Sequence, residues 1–301
     1  MVDFETGSLL QLTGRATIDW DSEAVARIPG ARRLVVFDIE EIVELPAAVA
    51  LRWDADAESV RSLRLIEKIQ ESEDVTSFVF EARDGGPLSP FEAGQHLPLG
   101  LEVPGLAEPV RRTYSLSGAP GHDRYRISVK REPKGLASRH LHDHVTPGAI
   151  LDARRPAGDF MMSCNECPIV LVSAGVGVTP MVSMLHILAA EDGQRPVWFV
   201  HGARDGGHHP LAREVRDLAA RRAGIEAHVA YSQPRPEDEM GTDHDSVGRV
   251  SDALLAGLIQ NIDAHYFLCG PTHFMAGIQS GLERRNVPVE HIHTELFGPA
   301  S

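Results

Sequence analysis

The chain has 301 residues, with 43 acidic against 29 basic side chains and a formal net charge of −14. That length suits about two domains, each able to bury a core of its own, and the acidic balance repels polyphosphate backbones, which argues against nucleic-acid binding. Cys164, Cys167 and Cys269 are too few and too unevenly placed for a disulfide framework, and the opening residues lack the basic start and apolar core of a signal peptide; both fit a reducing, cytoplasmic setting.

In chain order, the first 55 residues hold two strand-like stretches, 9–18 and 34–43. Two strands and a turn are too few for an independent barrel, so they read as the remnant or appendage of something larger. Short strands with turn punctuation follow at 61–69, 76–82, 95–100, 112–117 and 125–131, the pattern of a small antiparallel barrel. It is interrupted by a short helix at 136–143 and closed by a strand at 150–153, before Pro156 and Gly158 break the chain. Residues 159–166 read as a linker. The period then changes to strand 169–173, helix 180–190, strand 197–201, helix 211–222, strand 226–231, helix 252–258, strand 265–269, helix 272–285 and strand 291–297. Such alternation predicts a parallel sheet with right-handed crossovers.

Three units are therefore expected: a β segment over 1–55, a barrel domain over 57–160 and an α/β domain over 166–301. Residues 168–190 carry no charged side chain and are long enough to be weighed as a membrane span. The Gly-Val-Gly-Val-Thr-Pro at their centre parses better as strand, tight loop and helix. Residues 232–245, rich in Pro, Asp and Glu, read as a solvated loop.

Three strings carry chemistry. Gly175 and Gly177 follow a buried strand and precede a helix, so the backbone can approach a ligand and the helix amides can hold a pyrophosphate. Pro180 fits the first helical turn, where its missing N–H costs nothing. An ordinary strand-to-helix turn reads the same way. On strand 112–117, Arg112 and Tyr114 share one face, with Thr113 and Ser115 on the other; an Arg can grip a phosphate bidentately and a Tyr ring can stack on a flat heterocycle. An exposed structural strand would look alike, but Gly135-Leu136-Ala137-Ser138 follows with a candidate helix cap that could cradle a second phosphate. Cys269-Gly270-Pro271 ends a strand at the carboxyl edge of the sheet, where ligands bind in open α/β folds; a buried Cys serving as a small hydrophobe is the alternative.

In this order, and with Glu295-x-Phe297-Gly298, the strings resemble the ferredoxin-NADP reductase superfamily, above all the reductase module of flavohemoglobins, over roughly 60–299. The resemblance implies an FAD-dependent NAD(P)H oxidoreductase. In it Arg112 holds an FAD phosphate, Tyr114 packs on the flavin, Ser115 hydrogen-bonds near flavin N5, and Gly135 to Ser138 hold the FAD pyrophosphate. It also implies that Gly175, Gly177 and Thr179, with Pro180 in the same turn, bind the NAD(P)H pyrophosphate. Cys269, with Gly270 and Pro271, would lie beside the nicotinamide, Glu295 near the hydride path, and Phe297 over the flavin face.

The stretch Val2 to Gly7 with Leu9 to Arg15 is similar to the tail of pyridoxamine 5'-phosphate oxidase-like split barrels, which offers oligomerisation through this segment. With no globin-sized segment ahead of the reductase and too few cysteines for a plant-type iron–sulfur cluster, the acceptor (oxygen, a heme or an iron–sulfur protein) is expected outside the chain. The alternative function is a flavin-binding or partner-docking fragment with little turnover. Cys164-Asn165-Glu166-Cys167 reads as a surface turn, and His140, His142 and His144 are expected on different helix faces, so no metal site is expected. Arg204 or Arg235 could meet a 2'-phosphate, whereas Asp205 would repel one, which tilts the expectation to NADH.

Overall fold

The computed structural model describes residues 60–297 apart from 122, 163, 165, 194, 261 and 262, together with the backbone of three strands nearer the N-terminus. Those strands, β1 (Val2–Asp3), β2 (Ser8–Asp19) and β3 (Leu34–Pro46), make an antiparallel sheet in that order within a unit of its own, Met1–Glu58. Phe4 to Gly7, which carry part of the split-barrel resemblance, lie outside the described residues, as do Gly298 and Pro299. The second unit, Ser59–Ser301, carries two six-stranded sheets.

Its first half is an antiparallel sheet of β4 (Arg61–Gln70), β5 (Val75–Ala82), β6 (His96–Leu101), β7 (Val110–Ser115), β8 (Tyr125–Lys130) and β9 (Ile150–Ala153), in the order β7-β6-β9-β4-β5-β8. Just past β7, Leu116 bridges Ile127 and the Ser117 N–H donates to the Arg126 carbonyl at 2.8 Å, so the two ends of the ladder meet and the sheet curls into a barrel. Leu63, Leu65, Phe78, Phe80, Leu97 and Leu99 fill it with no exposed surface. One helix, α1 (Leu136–His144), interrupts the strands and packs Ala137 and Leu141 against that core.

The second half is the parallel sheet: β10 (Ile169–Ala174), α2 (Val178–Ala190), β11 (Val197–Ala203), α3 (Ala212–Ala219), β12 (Ile225–Tyr231), β13 (Ser246–Val247), α4 (Asp252–Leu258), β14 (His265–Cys269), α5 (Thr272–Arg284) and β15 (Ile292–Glu295). Its order, β13-β12-β11-β10-β14-β15, reverses between β10 and β14. Alternate residues of β10 enter separate cores, Ile169 and Leu171 towards α2 and α3, Val170 and Val172 towards α4 and α5. This two-sided burial is why the strand reads as an unbroken apolar run. Among the described residues no helix is long and apolar enough to cross a membrane, and the uncharged stretch 168–190 is this strand, a tight turn and α2.

Several element ends differ from the sequence expectation. Helix α2 begins at Val178, two residues before Pro180, and Pro180 is its third residue, where an N–H would still be an orphan. Leu211, expected in α3, has φ 60° and stays outside it. The short β13 was not expected; the Asp245 carboxylate accepts from the Val229 N–H at 2.7 Å and fixes its approach. The last strand stops at Glu295, so Phe297 lies beyond it.

Polar bridges tie the two halves together. Arg126 of β8 grips Glu214 of α3 with both terminal nitrogens at 2.8 Å, and His186 of α2 meets the same carboxylate at 2.6 Å. Burial pushes the Glu214 carboxyl up, but hydrogen bonds from His186 and Arg126 override it and hold its pKa down at about 2. Glu73, in the turn between β4 and β5, donates its N–H to the Gly207 carbonyl at 2.9 Å and pairs with Arg235 at 2.7 Å.

Candidate functional site

The strand-order reversal brings two of the three strings together. The Gly175–Gly177 turn leaves β10 and Cys269-Gly270-Pro271 leaves β14, side by side at the carboxyl edge, where such sheets bind ligands. A Cβ on Gly177 would stand 2.3 Å from the Cys269 carbonyl oxygen, so the turn can lie against β14 only because that residue is Gly.

Facing this edge from the barrel is a cavity of about 510 Å³. Its wall includes Arg112, Thr113, Tyr114 and Ser115 from β7, Gly135 to Ser138 at the start of α1, Val176 and Thr179 from the sheet edge, and Glu295 to Phe297 past β15. The sequence placed Thr113 and Ser115 on the face opposite Arg112 and Tyr114, yet all four reach the cavity. The reason is topological: β7 is the last strand of its ladder, so the cavity borders the strand's edge as well as one face. Burial, partly offset by the Arg112 guanidinium, raises the Tyr114 hydroxyl to about 12, which keeps the ring neutral. Ser115 is 5% exposed, and its hydroxyl has no hydrogen-bond partner among the described residues. A buried polar atom left this way is free to bond a ligand group or a water.

At α1 the role expected of Ser138 changes. It does not cap the helix: Gly135 is the N-cap with no side-chain cap bond, while the Ser138 hydroxyl accepts from the Glu132 N–H at 3.1 Å and donates to the Gly135 carbonyl at 3.4 Å. Ser138 thus shapes the turn, and the first-turn amides are left for an anion. A Cβ on Gly135 would lie 2.4 Å from the Ser138 oxygen, so a side chain there would fill the cradle.

A second cavity, of about 220 Å³, is bordered by Gly175, Val176, Gly202, Ala203, Arg204 and His208. Val176 and Lys130 line both cavities, which makes them the junction between the two. Thr179, expected with the second ligand, borders the first cavity and donates its hydroxyl to the Val176 carbonyl at 3.0 Å. Arg235 is engaged by Glu73 at 2.7 Å and by Asp205 at 3.2 Å, and His208 meets Asp205 at 2.7 Å. Arg204 contacts His208 and lies 3.4 Å from Asp205.

Gly177, Pro180, Cys269, Gly270 and Pro271 line neither cavity. Cys269 has no exposed surface, and burial first, then the nearby Glu295 carboxylate, pushes its thiol well above the ordinary value. Glu295 pairs with Cys269 in the β14–β15 register, and burial raises its carboxyl to about 7. Phe297 is 39% exposed at the cavity mouth. Sequence reasoning missed His96, which also lines the cavity, pairs with Ser115 across β6–β7 and sits 3.9 Å from Glu295. Burial lowers its pKa, against the pull of Asp159. It missed Lys130 as well; the one local signal was a cation closing a strand just ahead of the Gly135 turn.

An orphaned Ser115 hydroxyl, a glycine cradle at a helix start, an aromatic ring and an Arg on one wall suit a flavin dinucleotide, and the edge of the parallel sheet suits a nicotinamide dinucleotide. The fold and the site define an FAD- and NAD(P)-dependent oxidoreductase. Residues 62–162 match the oxidoreductase FAD-binding domain and residues 171–280 the oxidoreductase NAD-binding domain.

The chain is 42% identical over 240 residues to a flavohemoprotein of Deinococcus radiodurans, a match covering 80% of this chain and 60% of that protein. It is 39% identical over 300 residues to the flavohemoprotein of Chromobacterium violaceum, covering 97% and 73%. Among solved structures, the flavohem-like FAD/NAD-binding domain of nitric oxide dioxygenase from Vibrio cholerae superposes with a TM-score of 0.71 at 37% identity, over 79% of this chain and 99% of that one. The chain belongs to the flavohemoprotein family and carries its FAD/NAD-binding reductase region. It spans about 60% of the length of the first of these relatives.

Proposed function

We propose that this chain takes reducing equivalents from NADH and delivers them to a heme-type acceptor carried on another polypeptide or segment, with FAD seated in the larger cavity. When bound, FAD would accept a hydride from the nicotinamide and release electrons onward. The observation that carries this reading is the partnerless buried hydroxyl of Ser115, in a cavity bounded by both the barrel and the carboxyl edge of the parallel sheet.

In this reading Arg112 holds an FAD phosphate through a charge-assisted bond, Tyr114 stacks on the ring system, and Ser115 donates its hydrogen bond to it. The amides that follow Gly135 hold the pyrophosphate, with Ser138 keeping their turn in shape. Gly175 and its neighbours receive the nicotinamide dinucleotide, Gly177 and Pro180 set the start of α2, and Phe297 covers the mouth until that dinucleotide arrives. Cys269, Gly270 and Pro271 act as positioning residues: the buried thiol backs the wall on which Gly177 rests. The Glu295 carboxyl holds a proton near neutral pH, with His96 beside it. The preference for NADH is supported by Asp205 beside the second cavity and by the engagement of Arg235. A cytoplasmic setting follows from the need for a steady NADH supply. The heme-type acceptor is suggested by the relatives' names and by the share of their length that this chain spans.

The test is NADH oxidation with ferricyanide as a surrogate acceptor, measured on the flavin-stripped chain with and without added FAD. Turnover that appears only with FAD, and is faster with NADH than with NADPH, supports the reading. Turnover indifferent to FAD, or none at all, refutes it.

A further inference from the structure

At the opposite edge of the parallel sheet from the cofactor cavities lies a cluster the oxidoreductase chemistry does not use. The connector between barrel and sheet carries Cys164 and Cys167, which the structure joins in a disulfide with Cα atoms 5.8 Å apart. The sequence expectation of a surface turn did not include this bond; the Cα separation lies in the range a disulfide spans. Both sulfurs and a ring nitrogen of His265, the first residue of β14, lie within 4.8 Å of one another. Among the described residues this is the one group of three such ligand atoms.

We propose that, in the dithiol form, Cys164, Cys167 and His265 bind a thiophilic divalent cation of the zinc type that fastens the connector to the amino-terminal edge of the sheet. Ligand arms of about 2.0–2.3 Å place neighbouring donors of a tetrahedral zinc roughly 3.3–3.8 Å apart, a spacing inside the 4.8 Å span of this grouping and open to the two sulfurs once their bond is cleaved. The connector is already shaped for thiolates: the Cys167 N–H donates to the Cys164 sulfur at 3.0 Å, and Arg195 donates to the Cys164 carbonyl at 2.8 Å. His265 has the outer support that metal-bound imidazoles have, since its Nδ1 meets His293 Nε2 at 3.0 Å. The His291 ring stacks on His265 at 4.2 Å and holds its orientation, which leaves the fourth position to water. Disulfide and metal exclude each other. A phosphine reductant cleaves the S–S bond to two thiols while it and water become phosphine oxide, and the cation then displaces the two thiol protons to solvent.

The experiment uses the full FAD-loaded chain, reduced with a phosphine under argon and titrated with Co²⁺ while absorbance is followed to the red of the flavin bands. Expected is one cobalt per chain with intense tetrahedral d–d bands, displaced by zinc. The Cys164→Ser/Cys167→Ser double variant should lose these bands while keeping its FAD content and far-ultraviolet circular dichroism. His293→Ala should bind about ten- to a hundredfold more weakly, as loss of an outer-shell partner does. Absence of tetrahedral bands in the reduced wild-type chain, or bands that survive in the double variant, would overturn the proposal. The FAD retained by both proteins separates loss of a ligand from loss of the fold.

Discussion

The two cavities that meet at Val176 and Lys130 are built on different principles. The larger, about 510 Å³, leaves a buried hydroxyl unsatisfied at Ser115 and a carboxyl lifted to about 7 at Glu295. The smaller, about 220 Å³, is bordered by charges that already have partners, with Arg204 and His208 both drawn to Asp205. A pocket with unmet polar demands is stabilised by an occupant that stays. A pocket whose charges are balanced without one can be filled and emptied cheaply. The contrast suits a resident flavin on one side and an exchanging nicotinamide on the other.

The sharpest way to break the contrast is Gly177→Ala. Its Cβ would stand 2.3 Å from the Cys269 carbonyl oxygen, so either the turn or the end of β14 must move. A displacement on the order of 1 Å costs about a hundredfold in a hydride step. Stopped-flow reduction of the flavin should therefore slow by about that factor, with FAD content unchanged.

Next is Arg112→Ala, which should weaken FAD binding by about ten- to a hundredfold, the worth of a charge-assisted bond, while leaving NADH affinity unaltered; flavin fluorescence titration reads the first and isothermal calorimetry the second. Lys130→Ala should blur the distinction, weakening both ligands by about two- to tenfold, because that side chain borders both cavities.

The last prediction concerns Glu295, reads stability in place of binding or rate, and has a definite sign. A carboxyl whose folded pKa is about 7 binds more protons folded than unfolded, where its pKa is about 4.3. The flavin-free chain should therefore lose stability from this group as pH rises between those values, and lose no more above them. Glu295→Gln should flatten that part of the Tm-against-pH curve. An identical slope in both proteins would place the ionisation elsewhere.

Much of this was legible in the chain. Alternating apolar residues located β4 to β9, and the change of period after residue 166 located the parallel sheet, because both signals are local. The legibility failed where contacts are long-range. His96 enters the site through its pairing with Ser115, and nothing near residue 96 announces that. The burial of Cys269 comes from the core it shares with Ala93, Phe160 and Met181, all remote in sequence. Glu295 came from family resemblance alone, and its raised pKa is a property of burial that no motif records. Ser138 looked like a helix cap by residue type, but a hydroxyl three residues inside the N-cap can bond backwards as well, and here it does. The pair Cys164 and Cys167 reads locally as a surface turn, and nothing near it in sequence announces that β14 brings His265 within 4.8 Å of both sulfurs.

The most direct test of the central claim is an anaerobic stopped-flow experiment on the FAD-loaded chain, mixing with NADH and separately with NADPH. The account predicts full bleaching of the flavin band, faster with NADH, with a rate that saturates as the nicotinamide fills a site of its own. A flavin band that persists after excess of either nucleotide would contradict it.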